Sequence, residues 1–144
     1  MKKFLTTVVS LATIACVAFG ATACGMSTDP EVLAKNLEDK DYIVVSCQSL
    51  DEYYQSSYLC ADIHYEDVEL VLVAKGGDPH EFGAPYNGIE IYFCKDEETA
   101  EYLYEYLYAY IKYVEREEVD LSTEIQDNVV YVGTSDAIEA AKGQ

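Results

Sequence analysis

Apolar positions along the chain follow two rhythms, and the places where the rhythm changes predict the element boundaries. Thr28 or Asp29 can cap a helix opened by Pro30 and Glu31, with Val32, Leu33 and Leu37 as its apolar stripe. Tyr42 to Cys47 is a β-branched run that reads as a first strand. Ser49-Leu50-Asp51-Glu52 has the form of a capping box, and Leu50, Tyr53, Tyr54, Tyr58 and Ala61 recur at helical spacing, so a helix is expected from about Leu50 to Ala61. Val68 to Ala74, almost continuously apolar and stopped by Gly76-Gly77, predicts a second strand. After a loop containing Pro79, Gly83, Pro85 and Gly88, Ile89 to Cys94 alternates as a third strand, with Ile89, Ile91 and Phe93 on its buried face.

The longest helix follows. Asp96 caps it, Glu97 and Glu98 suit its positive first turn, and Ala100, Leu103, Leu107, Ile111 and Val114 form one stripe. Lys112 and Arg116 suit its end. Val129 to Val132 predicts a fourth strand, and Thr134 or Ser135 caps a last short helix carrying Ala137, Ile138 and Ala141 before Gly143. The order strand, helix, strand, strand, helix, strand predicts an α+β two-layer sandwich of the ferredoxin-like split βαβ kind, with an extra helix at each end. Right-handed crossovers then place the third strand between the first and second, in an antiparallel four-stranded sheet with helices on one face.

The first 23 residues belong to a different pattern. Lys2 and Lys3 form a basic n-region, and Phe4 to Ala23 is an uncharged, mostly apolar run closed by Ala21-Thr22-Ala23, the layout of a secretory signal peptide. Cys24-Gly25 follows directly, so the cleavage region resembles the lipobox of bacterial lipoproteins, which implies that Cys24 becomes an acylated N-terminus. Ala21-Thr22-Ala23 also reads as an ordinary A-x-A cleavage site, and plain secretion is the rival. The expected organisation is a signal peptide over 1–23, lipid attachment and a short linker over 24–28, and one α+β domain over 29–144. Leu37 to Val45, Glu90 to Ala100 (EIYFCKDEETA) and Asn128 to Ile138 (NVVYVGTSDAI) are similar to stretches of small lipoproteins of Gram-positive bacteria that have no assigned activity. That resemblance implies an address, the extracytoplasmic face of the cell membrane, and a rough fold, but no functional residue.

Charge removes one class of partner. Without residues 1–23 the chain keeps 121 of its 144 residues, and the basic count falls from nine to seven against 27 acidic residues, a formal charge of −20. Such a surface repels a phosphate backbone, so nucleic acid is excluded.

Candidate chemistry is sparse. His64 and His80 are the only histidines, and Cys60 stands four residues before His64, a pair from which a thiol enzyme could be imagined; a buried Cys60 beside a connecting segment is the simpler reading. Cys47, Cys60, Cys94 and His64 match no zinc spacing, and in the sheet order above Cys47 and Cys94 lie at opposite edges. Asp120, Ser122, Glu124, Gln126 and Asp127 alternate oxygens but lack the glycine and terminal glutamate of a calcium loop, so a solvated acidic loop is expected there. No catalytic residue, metal site or cofactor is therefore assigned. With no complete cysteine framework, buried thiols are favoured over a disulfide; Cys60 and Cys94 are the only pair this topology lets approach, and Cys94 would point away from the helices.

Tyrosine is the outlying residue type: 14 in the chain, six of them from Tyr102 to Tyr113, and no tryptophan. At about 100° per residue, Tyr104, Tyr108 and Tyr110 flank the helix stripe, whereas Tyr102, Tyr106 and Tyr113 fall on the far side. If those three face water and are not covered by the terminal helices or the loop from Gly77 to Gly88, they suit contact with a protein partner or a sugar. The leading expectation is a non-catalytic binding module that uses this face. An extracytoplasmic binder of cations or a small ligand is the second, and a hydrolase or thiol enzyme the third.

Overall fold

A proline that lacks an amide proton is harmless at the first position of a helix, where that proton has no partner, and Pro30 occupies this position. The structure, a computed structural model, describes residues 26–48, 67–77, 86–114 and 120–144. Residues 1–25, including the run expected as a signal and Cys24, and the helix expected over 50–61 lie outside the described residues. Helix α1 spans Pro30–Glu38, capped by the Asp29 carboxylate, which accepts a 2.9 Å hydrogen bond from the Glu31 amide, and it buries Leu33 and Leu37. Strands β1 (Ile43–Cys47), β2 (Val68–Lys75) and β3 (Gly88–Cys94) follow, then the long helix α2 (Glu97–Val114), strands β4 (Leu121–Gln126) and β5 (Val129–Thr134), and the short helix α3 (Ser135–Ala141).

Five antiparallel strands form one sheet in the order β1-β2-β3-β5-β4. This corrects the expected ferredoxin-like order and its four strands. The third strand does not lie between the first two; β1 pairs with β2 directly, from Ile43 opposite Lys75 to Cys47 opposite Val71. The reason lies in residues 121–126, expected as an acidic loop and found as β4. Leu121-Ser122-Thr123-Glu124-Ile125-Gln126 alternates apolar or threonine with polar positions, and pairs with β5 across the two-residue turn Asp127-Asn128. The parallel crossover of the fold is thus β3–α2–β4, with β5 inserted between its two strands: a split βαβ built from a later part of the chain than expected.

A second correction concerns the layers. Helices cover both faces of the sheet. On one face α1 and α3 pack Leu33, Leu37, Ala137 and Ile138 against Ile89, Ile91, Val129 and Tyr131. On the other, α2 packs Ala100, Leu103 and Leu107 against Val71, Tyr92, Cys94 and Val130. Because successive side chains of a strand alternate sides, β3 supplies both cores, and of its side chains only Glu90 is not fully buried. A strand buried on both faces belongs to a three-layer arrangement.

Polar groups close the seams. Asn36 donates to the Ala141 carbonyl at 2.9 Å, tying α1 to α3, and Asn87 Oδ1 accepts from both Tyr42 (2.9 Å) and Thr134 (2.8 Å). Burial raises the Tyr42 phenol above its ordinary range, against the lowering effect of Asn87. Ahead of α1, Met26 packs against the core and the buried Tyr131 hydroxyl donates to the Ser27 carbonyl at 2.7 Å. No helix among the described residues is long and apolar enough to cross a membrane.

Candidate functional site

Helix α2 carries the features that distinguish this molecule, one on each side of it. Its inner face is fully buried at Ala100, Leu103 and Leu107, one residue per turn, but Ile111 is only half-buried. There a groove of about 260 Å³ opens between helix and sheet, walled by Leu107, Ile111, Leu121 and Val132 and bordered by Tyr86 and Tyr110. Among the described residues Glu90 is the one charged side chain on this wall, placed there by the alternation of β3. It accepts a 2.7 Å hydrogen bond from the hydroxyl of Tyr92, two residues on and on the same face of the strand. The Tyr86 phenol is pushed up to about 12, first by burial and then by the charge of Glu90, so it stays protonated and able to donate. Across the β4–β5 pairing from Val132, the buried Thr123 hydroxyl has no hydrogen-bond partner.

The outer side of α2 carries the tyrosines. Tyr113 is 91 % exposed and Tyr102 58 %, as the helical spacing anticipated. Tyr106 is not: it is half-buried and packs against the α2-side core, which corrects its placement on the far side. The cause is the wheel itself: at about 100° per residue Tyr106 stands closer to Leu103 than Tyr102 or Tyr113 does, at the margin of the stripe, where its long side chain reaches the core. Tyr108 and Tyr110 are exposed in its place. Tyr104 and Tyr108 stack with ring centroids 5.9 Å apart, and the Lys112 ammonium lies 4.3 Å over the Tyr108 ring, so the aromatic surface is partly ordered by its own contacts. Glu98, Glu101 and Glu105 are exposed on the same helix.

The two described cysteines are structural. Cys47 and Cys94 end strands that point the same way, so both sit at one end of the sheet, in the α2-side core, and not at opposite edges as expected. Cys94 faces α2 instead of pointing away from the helices. One strand separates them, which sets their backbones about 10 Å apart and beyond the roughly 7 Å that a disulfide spans. Burial, reinforced by Asp96 and Asp67, pushes the Cys94 thiol up to about 12, the opposite of what a nucleophile needs. Cys60, His64 and His80 lie outside the described residues. Among the described residues no cluster of three or more His, Cys, Asp or Glu side chains could hold a metal. Of the supposed calcium ligands, Glu124 binds Lys142 at 2.9 Å, and this contact raises the lysine's pKa above its ordinary value. Tyr102, Tyr106 and Tyr113 therefore do not form one exposed face; Tyr102 and Tyr113 do. The groove was not anticipated from sequence, because it depends on which residues of β3, β4 and β5 meet the end of α2.

Compared with protein-family models, with curated proteins and with solved structures, the chain matches none.

Proposed function

We propose that this chain is a lipid-anchored extracytoplasmic binding module with no catalysis of its own, tethered through Cys24 and engaging a protein partner through the outer side of α2. The observation that carries the partner surface is the exposure of Tyr102 and Tyr113 on a helix that buries Ala100, Leu103 and Leu107 on its other side. A tyrosine ring offers contact area and its hydroxyl a hydrogen bond, which is why such residues are enriched at interfaces. Glu98, Glu101 and Glu105 add negative charge around Tyr102, so a partner with a basic patch is the complementary one at that end of the helix. Burial that raises the Cys94 thiol makes this one cysteine a poor nucleophile.

The anchor and the surface are tested separately. Cys24→Ala is expected to abolish metabolic labelling by fatty acid, and labelling that persists would overturn the anchor. Replacing Tyr102 and Tyr113 together by Ser is expected to weaken crosslinking to a partner in membranes while changing stability by no more than about 0.5 kcal/mol per site. Undiminished crosslinking, or loss of the melting transition, would remove the surface from consideration.

A further inference from the structure

We propose that the groove between the C-terminal half of α2 and the sheet binds a small organic amine, an aromatic ring on a short chain ending in an ammonium group. This site is independent of the partner surface on the opposite side of the helix, and either can fail without the other.

Three observations select the ligand. The volume comes first: a cavity of about 150 Å³ holds benzene, so a groove of about 260 Å³ has room for a six-membered ring with two or three further atoms. The wall comes second. Leu107, Ile111, Leu121 and Val132 present aliphatic surface from a helix and two strands, which suits the body of such a ligand and offers no competing polar group. Charge comes third, and it fixes the sign of the head group. Among the described residues Glu90 is the one charged side chain on the wall, and the Tyr92 hydroxyl occupies one of the roughly four acceptor positions of a carboxylate. An ammonium is the group that completes it. Tyr86 and Tyr110 border the groove with rings that attract a cation through their faces.

Other ligand classes fit less well. An anion would meet Glu90 in a chain of formal charge −18, and a bare metal ion would find, among the described residues, one carboxylate on a mostly aliphatic wall.

The test is a pair of probes matched in size and opposite in charge. The purified full-length chain is titrated with 2-phenylethylamine and, separately, with benzoate, whose carboxylate matches the amine's short chain in non-hydrogen atoms and carries the opposite charge, while backbone amide signals are followed by NMR. The amine is expected to shift the signals of Glu90, Ile111 and Val132 saturably, and the carboxylate to leave them in place. Glu90→Gln should weaken amine binding by about tenfold or more, the scale of a lost hydrogen bond to a charged group. Ile111→Trp, at the half-buried rim, should abolish binding by filling the space. Equal binding of the two probes, shifts confined to residues outside the groove, or full amine affinity in a folded Glu90→Gln variant would overturn the proposal. Should either variant fail to fold, the comparison of the two probes on the unaltered chain decides alone.

Discussion

Asp96 stands at the start of α2 and holds the first turn: its side-chain oxygen accepts a 2.8 Å hydrogen bond from the Thr99 amide. The hydrogen bonds from Thr99 favour the charged form and lower the carboxyl's pKa below its ordinary value. A carboxyl whose pKa is lower in the folded than in the unfolded chain contributes stability that is complete above the unfolded value, about pH 4 for aspartate. That contribution is lost as the pH falls through the lower folded value. Asp96→Ala should therefore lower the melting temperature at pH 7, and the gap from the parent chain should close in acid. Thermal melts at pH 7 and at a series of pH values running from about 4 down through the lowered folded value check this, and a gap that stays constant over the whole series would show that the charge of Asp96 plays no part. Glycine at 133 is required by space: a β-carbon there would come within 2.4 Å of the Gly88 carbonyl oxygen in the neighbouring strand. Asp127 is the corresponding case for conformation, since it adopts the left-handed region with φ 51°.

At the scale of elements, that conformation makes the β4–β5 turn a sensitive place. Asp is among the few residues with a side chain that tolerate the left-handed region, Gly has no penalty there, and a β-branched residue is strained by roughly 1–2 kcal/mol. Asp127→Gly is expected to leave the hairpin as stable as before, while Asp127→Val destabilises it; denaturant melts showing Val equal to Gly would refute this account of the turn. The same hairpin shows where sequence was legible and where it was not. Helices α1, α2 and α3 and strands β1, β2, β3 and β5 were readable from caps and periodicity, because Asp29-Pro30, Asp96 and Thr134 are local signals that do not depend on the rest of the fold. β4 was missed because Ser122, Glu124 and Gln126 look like a solvated acidic run. The signal that could have found it was there: strict alternation beside a two-residue Asp-Asn turn leading into Val129.

At the scale of the molecule, the layer count was hidden in β3. Ile89, Ile91 and Phe93 were read as its one buried face, yet Tyr92 and Cys94 on the alternate positions are equally buried. A strand apolar on both faces requires cover on both, and that requirement puts α1 and α3 on one side and α2 on the other. Strand order was not legible, because it is fixed by which edges meet in space; once residues 121–126 form a strand, the crossover through α2 moves to β3–β4. The groove was hidden for the same reason. Its residues come from β3, β4, β5 and α2 and meet only in the final order, whereas Tyr102 and Tyr113 were readable because a single helix presents them.

The bond from Tyr131 to the Ser27 carbonyl sets the length of a leash. With Met26 packed on the core and Ser27 held, a lipid on Cys24, as proposed, would reach the folded body through only Cys24 and Gly25, a span of at most about 7 Å. The side bearing α1 and α3 would then be pinned against the bilayer. With layers stacked about 10 Å apart, the amine groove and the tyrosines of α2 would look outward, away from the lipid. A fluorophore at Glu139 on α3 should accordingly be quenched by spin-labelled headgroups more strongly than one at Glu105 on α2, when the lipidated chain is held in vesicles. Equal quenching would mean that the body tumbles freely on a longer tether than Tyr131 allows.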